Sequence, residues 1–451
     1  MSLIPIWARH RRRFIVYAGI LVSLLVIADL LRGPRDVSLF TGHSITLSNL
    51  VHGKGYQDPC ASLTGLEDVF VIVRTGSNEV RQKLPALLNT TLPCFRHYGI
   101  WSDMEEEFAG QHIEDSLDEI DPHLLETHAD FEYYRHLKAQ GSGRASSEKA
   151  ASWADAANTD IGRDTPAWKL DKWKFLPVAK KAYRRQPTSK WYVFVECDTY
   201  VFWASLLVYL SGIDAARPYY IGRQMNLGED VFGYGGAGII ISNPAMQKLV
   251  EQLASSPEAY DELTIHQWAG DYVLSRAMHD AGVPLSPIWP TLEGEMPSTL
   301  NLQTMSTKNH RIWCYYAATY HHVSPEDAYL YYDFDQTWNS TSRGLPRHGD
   351  VFRHMVYPHL RDEIPDWDNL SPDVRSENVS SLAECRDMCE EKGDCVQFSL
   401  AARTCRTSTA VRWGKKKESS GSVDSGWIMR RVEAFMEELE ASCSGEDWIL
   451  P

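Results

Sequence analysis

The sequence has little positive charge relative to negative charge. Its 45 lysines and arginines are outnumbered by 60 aspartates and glutamates, which gives a formal net charge of −15. Because binding to a phosphate backbone requires a basic surface, this balance argues against nucleic acid as a partner. Apolar residues are not scarce, at 43% of the chain, which argues against wholesale disorder. A length of 451 residues predicts two folded units with connecting segments.

Long apolar runs are scarce as well, and the one that stands out covers residues 14–31. It contains a single charge, Asp29, and is long enough to cross a thin bilayer as a helix. Four arginines precede it and two follow closely, an asymmetry that keeps the N-terminal side in the cytosol. The small-residue cleavage pattern of a signal peptide, the alternative interpretation, is missing after the run. We therefore expect a cytosolic tail at residues 1–13, a membrane anchor at 14–31 and a stem at 32–65.

Two features typical of the secretory pathway support a lumenal location for the rest of the chain. Acceptor motifs for N-glycosylation begin at Asn89, Asn339, Asn369 and Asn378. Nine cysteines, four of them between positions 385 and 405, suit an oxidising compartment. The chain is therefore predicted to be a single-pass type II membrane protein of the Golgi or the endoplasmic reticulum.

The order of the apolar segments indicates an α/β fold. A β-branched run from residue 69 is followed by a helical stretch and by a second strand within residues 95–103, the order that begins a nucleotide-binding half. Residues 104–165 are acidic and then small and polar, and we interpret them as helices and loops with a flexible stretch. The predicted boundaries are 66–338 for the α/β domain, 339–369 for a linker, 370–431 for a cysteine-rich module and 432–451 for a helical tail.

Two acidic residues follow a strongly apolar strand. Residues 191–195 read WYVFV, and Glu196 and Asp198 come directly after them, one residue apart. Both carboxylates can face a site at the carboxyl edge of a sheet, and paired oxygen ligands suit Mg²⁺ or Mn²⁺, which also bind phosphate oxygens. From these residues alone, the alternative that the acids cap a turn or pair with lysines stays open.

Four segments, in order, resemble the family 31 glycosyltransferases, the group that contains core 1 β1,3-galactosyltransferase and the Fringe enzymes. They are the helix WKLDKWKFLPVAKKAYRR, the strand VECDTYVFW that follows it, YGGAG at 234–238 and TYHHVSP at 319–325. The resemblance covers about residues 66–335. It implies a GT-A fold, which is built on a Rossmann-like mixed sheet, a UDP-sugar donor, Mn²⁺ (or Mg²⁺) as cofactor and inversion of the sugar's configuration.

The resemblance assigns the metal ligands. Glu196 and Asp198 stand at the metal-binding acids of the family, which usually has Asp at the position of Glu196. His321 stands at the metal-binding histidine of the family's closing segment, and His322 is the alternative. Without the resemblance, a histidine in an apolar segment would be interpreted as structural.

The resemblance also assigns the catalytic base. Inversion proceeds by one in-line displacement, in which a carboxylate removes the proton from the acceptor hydroxyl. Asp271 stands where the family has an acidic helix start, but Gly270 replaces the family's Glu and Ser275 replaces its Gly. The alternative is that Asp271 is only a helix cap.

Five further residues are assigned to donor binding. Thr75 and Gly76 resemble the first nucleotide-contacting turn of the family, and Asp103 resembles the acid that contacts the nucleoside. Gly235 and Gly236 belong to the loop that lets the sugar and the acceptor approach the backbone. This loop also satisfies G-x-G-x-x-G, but a dinucleotide site requires a helix directly after it, and a β-like IIIS segment follows here. The dinucleotide interpretation therefore fails.

The C-terminal cysteines resemble those of a PAN/apple domain, a small disulfide-rich α+β fold. Cys385 and Cys389 lie four residues apart on a predicted helix, and Cys395 and Cys405 follow on strand-like segments. The resemblance implies nested disulfides, Cys385 with Cys405 and Cys389 with Cys395, in a module that binds protein or carbohydrate. Zinc is the alternative, but two C-x2-C knuckles are missing and a lumenal setting favours disulfides. Four other cysteines are candidates for further pairs, and Cys197 is expected to be a free thiol.

The combined prediction is an inverting, metal-dependent transferase. It would move a hexose, of the galactose or N-acetylhexosamine type, from a UDP-sugar to a hydroxyl of a glycan or glycoprotein, with a β1,3 linkage by resemblance. The alternative is a non-catalytic glycan-binding, protein-binding or chaperone-like protein on a degenerate glycosyltransferase scaffold. Glu196 and the altered motif around Asp271 keep that alternative open.

Overall fold

A computed structural model describes residues 58–140, 165–306, 311–339, 343–416, 422–445 and 448–451. The predicted cytosolic tail, the membrane anchor and most of the stem lie outside these ranges, as does most of the stretch that we expect to be flexible. Within the described ranges, no helix combines the length and the apolar character that crossing a membrane requires.

The α/β region alternates strands and helices. Its strands are β1 (Val69–Arg74), β2 (Tyr98–Ser102), β3 (Glu106–Phe108), β4 (Gln111–Asp115), β5 (Trp191–Glu196), β6 (Tyr200–Val201), β7 (Tyr220–Gly222), β8 (Gln224–Leu227), β9 (Asp230–Gly233), β10 (Ile239–Ser242), β11 (Leu285–Pro287) and β12 (Thr319–Tyr320). Its helices are α1 (Val80–Thr90), α2 (Pro122–Thr127), α3 (Glu132–Gln140), α4 (Pro166–Arg185), α5 (Trp203–Ser211), α6 (Asn243–Ser255), α7 (Pro257–His266), α8 (Gly270–Asp280), α9 (Pro325–Asn339) and α10 (His348–Val351).

The main sheet is mixed. Among the described residues it has eight strands in the order β11-β7-β10-β5-β1-β2-β4-β3. Strand β1 runs parallel to both β2 and β5, whereas β10 runs antiparallel to β5 and β7. A large mixed sheet of this kind is consistent with the predicted GT-A fold.

Both faces of the sheet are covered, as the central strand β1 shows. All its residues are buried, because its sequence is apolar up to the last position. Side chains of a strand alternate between its two faces. Val71 and Val73 therefore pack with residues of α1 and α5, while Phe70 and Ile72 pack with residues of α4, α6 and α8. This layering confirms the predicted α/β class and leaves the carboxyl ends of β1 and β5 as one open edge.

The interpretation of residues 104–165 as helices and loops is wrong at its start. Strands β3 and β4 form an antiparallel pair there and close one edge of the main sheet. Their sequences, EEF and QHIED, are mostly polar because an edge pair buries few side chains, such as Ile113 and Asp115. The apolar run that reveals a central strand is therefore missing.

The C-terminal region contains a second, smaller sheet. The strands of this region are β13 (Trp367–Asp368), β14 (Asp373–Ser376), β15 (Gln397–Ala401), β16 (Thr404–Ser408), β17 (Lys415–Lys416) and β18 (Val423–Trp427). The helices of this region are α11 (Leu382–Glu391) and α12 (Met429–Ala441). Within the described residues, β14-β16-β15-β18 form an antiparallel sheet. Helix α11 packs on it through Cys385 and Cys389, against Phe398 of β15. The apple-like assignment of this region stays a prediction.

The disulfides follow the predicted pattern. Cys385 bonds to Cys405 and Cys389 to Cys395, so the nested pairing is confirmed. Two further pairs join Cys60 to Cys94 and Cys314 to Cys443. Cys197 is a buried free thiol, as expected from the odd number of cysteines.

The predicted glycosylation positions differ in accessibility. Asn89 and Asn378 are exposed. Asn369 is fully buried, its amide donates to the carbonyl of Phe398 at 3.0 Å, and its oxygen accepts from the hydroxyl of Ser371 at 2.7 Å. A glycan on Asn369 is therefore incompatible with this fold, and that motif is not a glycosylation site of the folded chain.

Candidate active site and metal centre

The open edge of the sheet begins with an ion pair. Arg74 ends β1 and is the register partner of Glu196, which ends β5. The guanidinium of Arg74 donates to Glu196 and, at 3.2 Å, to Asp171 of α4, and it lies 3.4 Å from the centroid of the Phe175 ring. Burial alone would raise the pKa of Glu196, but Arg74 and then His321 lower it below its ordinary value. Glu196 is therefore held in its ionised form.

Asp198, His321 and His322 form a cluster that could hold a metal ion. One ligand atom of each residue lies within 4.8 Å of the ligand atoms of the other two. Nε2 of His321 lies 3.3 Å from Oδ1 of Asp198 and 3.3 Å from Oε2 of Glu196. Glu196 is thus at the border of the cluster, with its other oxygen paired to Arg74.

Two features of His321 fit a metal ligand. Its Nε2 atom is buried and faces the carboxylates of Asp198 and Glu196 at 3.3 Å, without the geometry of a hydrogen bond to either. Its other ring nitrogen, Nδ1, lies 3.0 Å from the hydroxyl of Tyr234. In metal sites, such a partner fixes the tautomer and orients the remaining nitrogen toward the ion. The donor set of one carboxylate and two imidazoles, with a further carboxylate beside it, therefore fits a divalent cation.

The cluster also attracts positive charge from the protein itself. Burial would lower the pKa of His321, but the carboxylates of Asp198 and Glu196 raise it to about 9. The ammonium of Lys83 lies 3.1 Å from Oδ2 of Asp198 and 2.8 Å from the carboxylate of Glu79. Burial opposes the ionised form of Asp198, yet His321 and Lys83 together lower its pKa well below the ordinary value. Asp198 thus lies between two positively charged partners, His321 and Lys83.

The candidate base Asp271 is held by two backbone N–H groups. Gly235 donates to its Oδ2 and Tyr272 to its Oδ1, each at 2.9 Å. The N-cap position of α8 is Ala269, so the interpretation of Asp271 as the cap residue is wrong. Burial raises the pKa of Asp271 to about 6, against the opposing effects of the Gly235 hydrogen bond and the charge of Arg74. A base with a pKa near neutrality is matched to proton transfer.

Two glycines make the site possible because they allow close contacts. A Cβ atom on Gly236 would lie 2.3 Å from Cε1 of His321. A Cβ atom on Gly270 would lie 2.4 Å from Cδ2 of Phe175 and 2.6 Å from Cα of Lys172. Gly270 thus lets the start of α8 lie directly against α4. A longer side chain at this position would overlap Phe175 and the backbone of Lys172.

The residues predicted to contact the nucleotide lie together beside the first turn. The carbonyl of Gly76 accepts from Glu79 and Val80, so Thr75 and Gly76 lead into α1. Oδ1 of Asp103 accepts from the N–H of Ser77 at 2.6 Å. Its Oδ2 is buried and has no hydrogen-bond partner within the described ranges. A buried oxygen without a hydrogen-bond partner can accept a hydrogen bond from an N–H group of a ligand.

One cleft brings the candidate base together with part of the candidate metal site. Its lining residues include the candidate base Asp271, the metal candidates Glu196, His321 and His322, and Gly236 of the donor-binding loop. Asp198 lies next to the cleft, in contact with His321. Gly235 also lies next to it and donates a hydrogen bond to Asp271. Thr75, Gly76 and Asp103 are not among the lining residues and form the neighbouring group described above.

Arg74, Lys83 and Tyr234 belong to the site but were not predicted from the sequence. Arg74 carried a signal, since it is a charged residue that ends an otherwise apolar strand. Tyr234 begins the YGGAG segment, but its contact with His321, 87 residues away, has no local pattern. Lys83 carried no signal, because its partner Asp198 lies 115 residues away in the chain.

Comparison with known families agrees with this geometry. The model of a family described as Fringe-like matches residues 64–280, a range that contains β1, β5, the glycine loop and α8. This region resembles Fringe-like glycosyltransferases. The match supports the predicted glycosyltransferase class, and it stops before His321 and before the C-terminal region. No curated protein matches the chain.

Proposed function

We propose that the chain is a metal-dependent, inverting hexosyltransferase that uses a UDP-sugar. The observation that carries this proposal is the position of Asp271 in the same cleft as His321 and His322. Gly235 and Gly236 connect the two sides, since the first donates to Asp271 and the second lies against His321. A base and a candidate cation site that share one cleft are the two parts that an inverting transfer requires.

The metal candidates are Asp198, His321 and His322, with Glu196 beside them. A bound Mn²⁺ or Mg²⁺ would supply positive charge to the departing diphosphate. The protein holds this site through Tyr234, which fixes the ring of His321, and through Arg74, which keeps Glu196 ionised. The buried Oδ2 atom of Asp103 would accept a hydrogen bond from an N–H group of the nucleobase.

In the proposed reaction, Asp271 removes the proton from an acceptor hydroxyl. The hydroxyl oxygen forms a bond to the anomeric carbon while the bond from that carbon to the diphosphate oxygen breaks. Asp271 is suited to this step because its buried carboxylate has a pKa near 6 and both oxygens are oriented by backbone N–H groups. The sugar would be galactose or an N-acetylhexosamine, the acceptor a glycan or glycoprotein, and the linkage β1,3, all by resemblance.

The non-catalytic alternative is favoured by one observation. Arg74 and Lys83 already pair with Glu196 and Asp198, so the cluster is partly neutralised by the protein's own cations. A scaffold that had lost its metal would use such pairs to stabilise the buried acids.

Calorimetric titration of Mn²⁺ and UDP into residues 59–451 separates these candidates. We expect UDP to bind with Mn²⁺ and to bind much more weakly in EDTA. Asp198→Asn should lose the increase in UDP affinity that Mn²⁺ provides. Asp387→Asn, which changes an exposed acid on α11, should bind UDP and Mn²⁺ as wild type does. UDP binding that ignores Mn²⁺, or wild-type titrations with Asp198→Asn, would contradict the metal role.

We also propose a setting and partners for the enzyme. The predicted anchor at residues 14–31 and the four disulfides of the described residues suit a type II membrane protein of the Golgi or endoplasmic reticulum. The apple-like module would bind a protein or carbohydrate ligand. Protease protection of microsomes, with an antibody against residues 59–451, would show whether this part of the chain is lumenal.

A further inference from the structure

One face of helix α4 lines the cleft beside the candidate base. Trp168, Asp171, Lys172 and Phe175 are spaced at i, i+3, i+4 and i+7, which places them on the same side of a helix, and all four line the cleft that contains Asp271. Phe175 is buried, whereas Trp168, in the first turn of the helix, is partly exposed. This face therefore offers a ring to a ligand at its N-terminal end.

A second tryptophan reaches the same wall from another part of the chain. Trp268 lies between α7 and α8, three residues before Asp271, and is 44% exposed. Its ring is nearly parallel to that of Trp168, with an angle of 13° and a centroid distance of 6.1 Å. Most tryptophans of a folded chain are largely buried, so a ring this open beside a candidate active site needs an explanation.

The position of Trp268 is fixed by a buried lysine. Nζ of Lys172 donates to the carbonyls of Ile265 at 3.3 Å and Gln267 at 3.0 Å, and it lies 2.8 Å from the carboxylate of Asp130. These bonds attach the segment that precedes Trp268 to helix α4. The two indoles are therefore held together by the fold and are not placed by contact with each other alone.

The charges of the cleft indicate what the rings would contact. Among the described residues that line the cleft, Lys172 is the single lysine and there is no arginine. The ammonium of Lys172 already bonds to the carbonyl of Gln267 and pairs with Asp130. Asp171, Glu196 and Asp271 add carboxylates to the same walls. At the wall formed by α4 and Trp268, away from His321, an anionic acceptor would meet Asp171 and Asp271 without an available lysine or arginine. This wall therefore favours an uncharged ligand.

We propose that Trp168 and Trp268 form a stacking surface for the acceptor, an uncharged pyranose that presents a hydroxyl to Asp271. The C–H face of a pyranose is apolar and its edge carries hydroxyls, so it suits an aromatic wall next to a buried carboxylate. This inference rests on the proposed function, because it assigns the acceptor side of that reaction.

Saturation-transfer NMR tests the surface without requiring turnover. The probes are the neutral methyl pyranosides of glucose, galactose, mannose and N-acetylgalactosamine, with methyl glucuronide as the charged counterpart. We expect at least one neutral probe to receive saturation on its C–H face, and the glucuronide to bind about tenfold more weakly or not at all.

The variants assign this binding to the rings. Trp268→Ala and Trp168→Ala should each weaken the neutral probe about tenfold, whereas Trp268→Phe should keep most of the affinity because a ring remains. Tyr329→Ala, an exposed aromatic on α9, is the matched control and should bind as wild type. Thermal unfolding of each variant is measured first, and Trp268→Phe provides the comparison if an alanine variant is unstable.

Three results would overturn the proposal. They are wild-type affinity in both alanine variants, preference for the glucuronide, and no binding of any neutral probe. A wild-type chain that binds neutral pyranosides through these rings but does not bind UDP with Mn²⁺ would instead refute the proposed function while leaving the stacking surface intact.

Discussion

The substitution Asp271→Asn tests the candidate base with the smallest change in shape. The carboxylate of Asp271 accepts one N–H on each oxygen, from Gly235 and from Tyr272. The amide of Asn has one acceptor oxygen, so one of these bonds is lost, at a cost of about 1.5–3 kcal/mol for a bond to a charged group. The same substitution removes a buried charge.

The removal of that charge offsets the lost hydrogen bond. Burial raises the pKa of Asp271 from 3.8 to about 6, which corresponds to roughly 3 kcal/mol by which folding disfavours the ionised form at neutral pH. The two effects are of similar size, so the free energy of unfolding at pH 7 should change by no more than about 1 kcal/mol. Relative to wild type, the variant should gain stability as the pH rises from 4 to 6, where the wild-type carboxylate ionises more readily in the unfolded chain.

The effect on transfer should be much larger than the effect on stability. A general base contributes about 10²–10⁴ in rate, so Asp271→Asn should raise the activation free energy by roughly 3–5 kcal/mol. Wild-type transfer should itself fall about tenfold per pH unit below pH 6, because protonated Asp271 cannot accept a proton. The assay compares the transfer rate with the affinity for UDP and Mn²⁺, and Asp280→Asn on the same helix is the control. Transfer near the wild-type rate in Asp271→Asn would refute the base role.

Two further substitutions test other parts of the account. Gly236→Ala should disrupt the metal cluster, because its methyl group would overlap the ring of His321; Mn²⁺ titration should show at least about tenfold weaker binding, and unchanged binding would contradict the assigned contact. Cys385→Ser should destabilise the C-terminal region by about 2–5 kcal/mol, since it removes the disulfide to Cys405, while a small soluble acceptor should still be used; equal stability against urea would show that this disulfide contributes little.

The central strands could be predicted because their sequences are unbroken apolar runs. Strands β1, β5 and β10 are covered on both faces, and burial on both faces requires apolar residues at successive positions. The last two strands at one side of the sheet, β4 and the edge strand β3, could not be predicted in this way, because residues such as Glu107 and His112 face solvent and the pattern becomes polar.

The order of the motifs predicted the site residues but not the residues that contact them. Asp198 and His321 were found because they belong to segments that resemble a family. The contact of Asp198 with Lys83 joins residues 115 positions apart, and no local pattern records such a pair. Asn369 shows the reverse error, because its motif is a glycosylation signal in sequence while its side chain is part of the core. Burial by distant strands overrides a local motif.

The central claim is that the chain transfers a sugar from a UDP-sugar with the help of a metal ion. The most direct measurement is the release of UDP from a panel of UDP-hexoses by purified residues 59–451, in the presence of the neutral methyl pyranosides as acceptors, with Mn²⁺ and with EDTA. The account predicts that at least one UDP-hexose is consumed with Mn²⁺, that EDTA stops the release, and that added Mn²⁺ restores it. Tight, Mn²⁺-dependent UDP binding without release from any donor would contradict the claim and favour the non-catalytic scaffold.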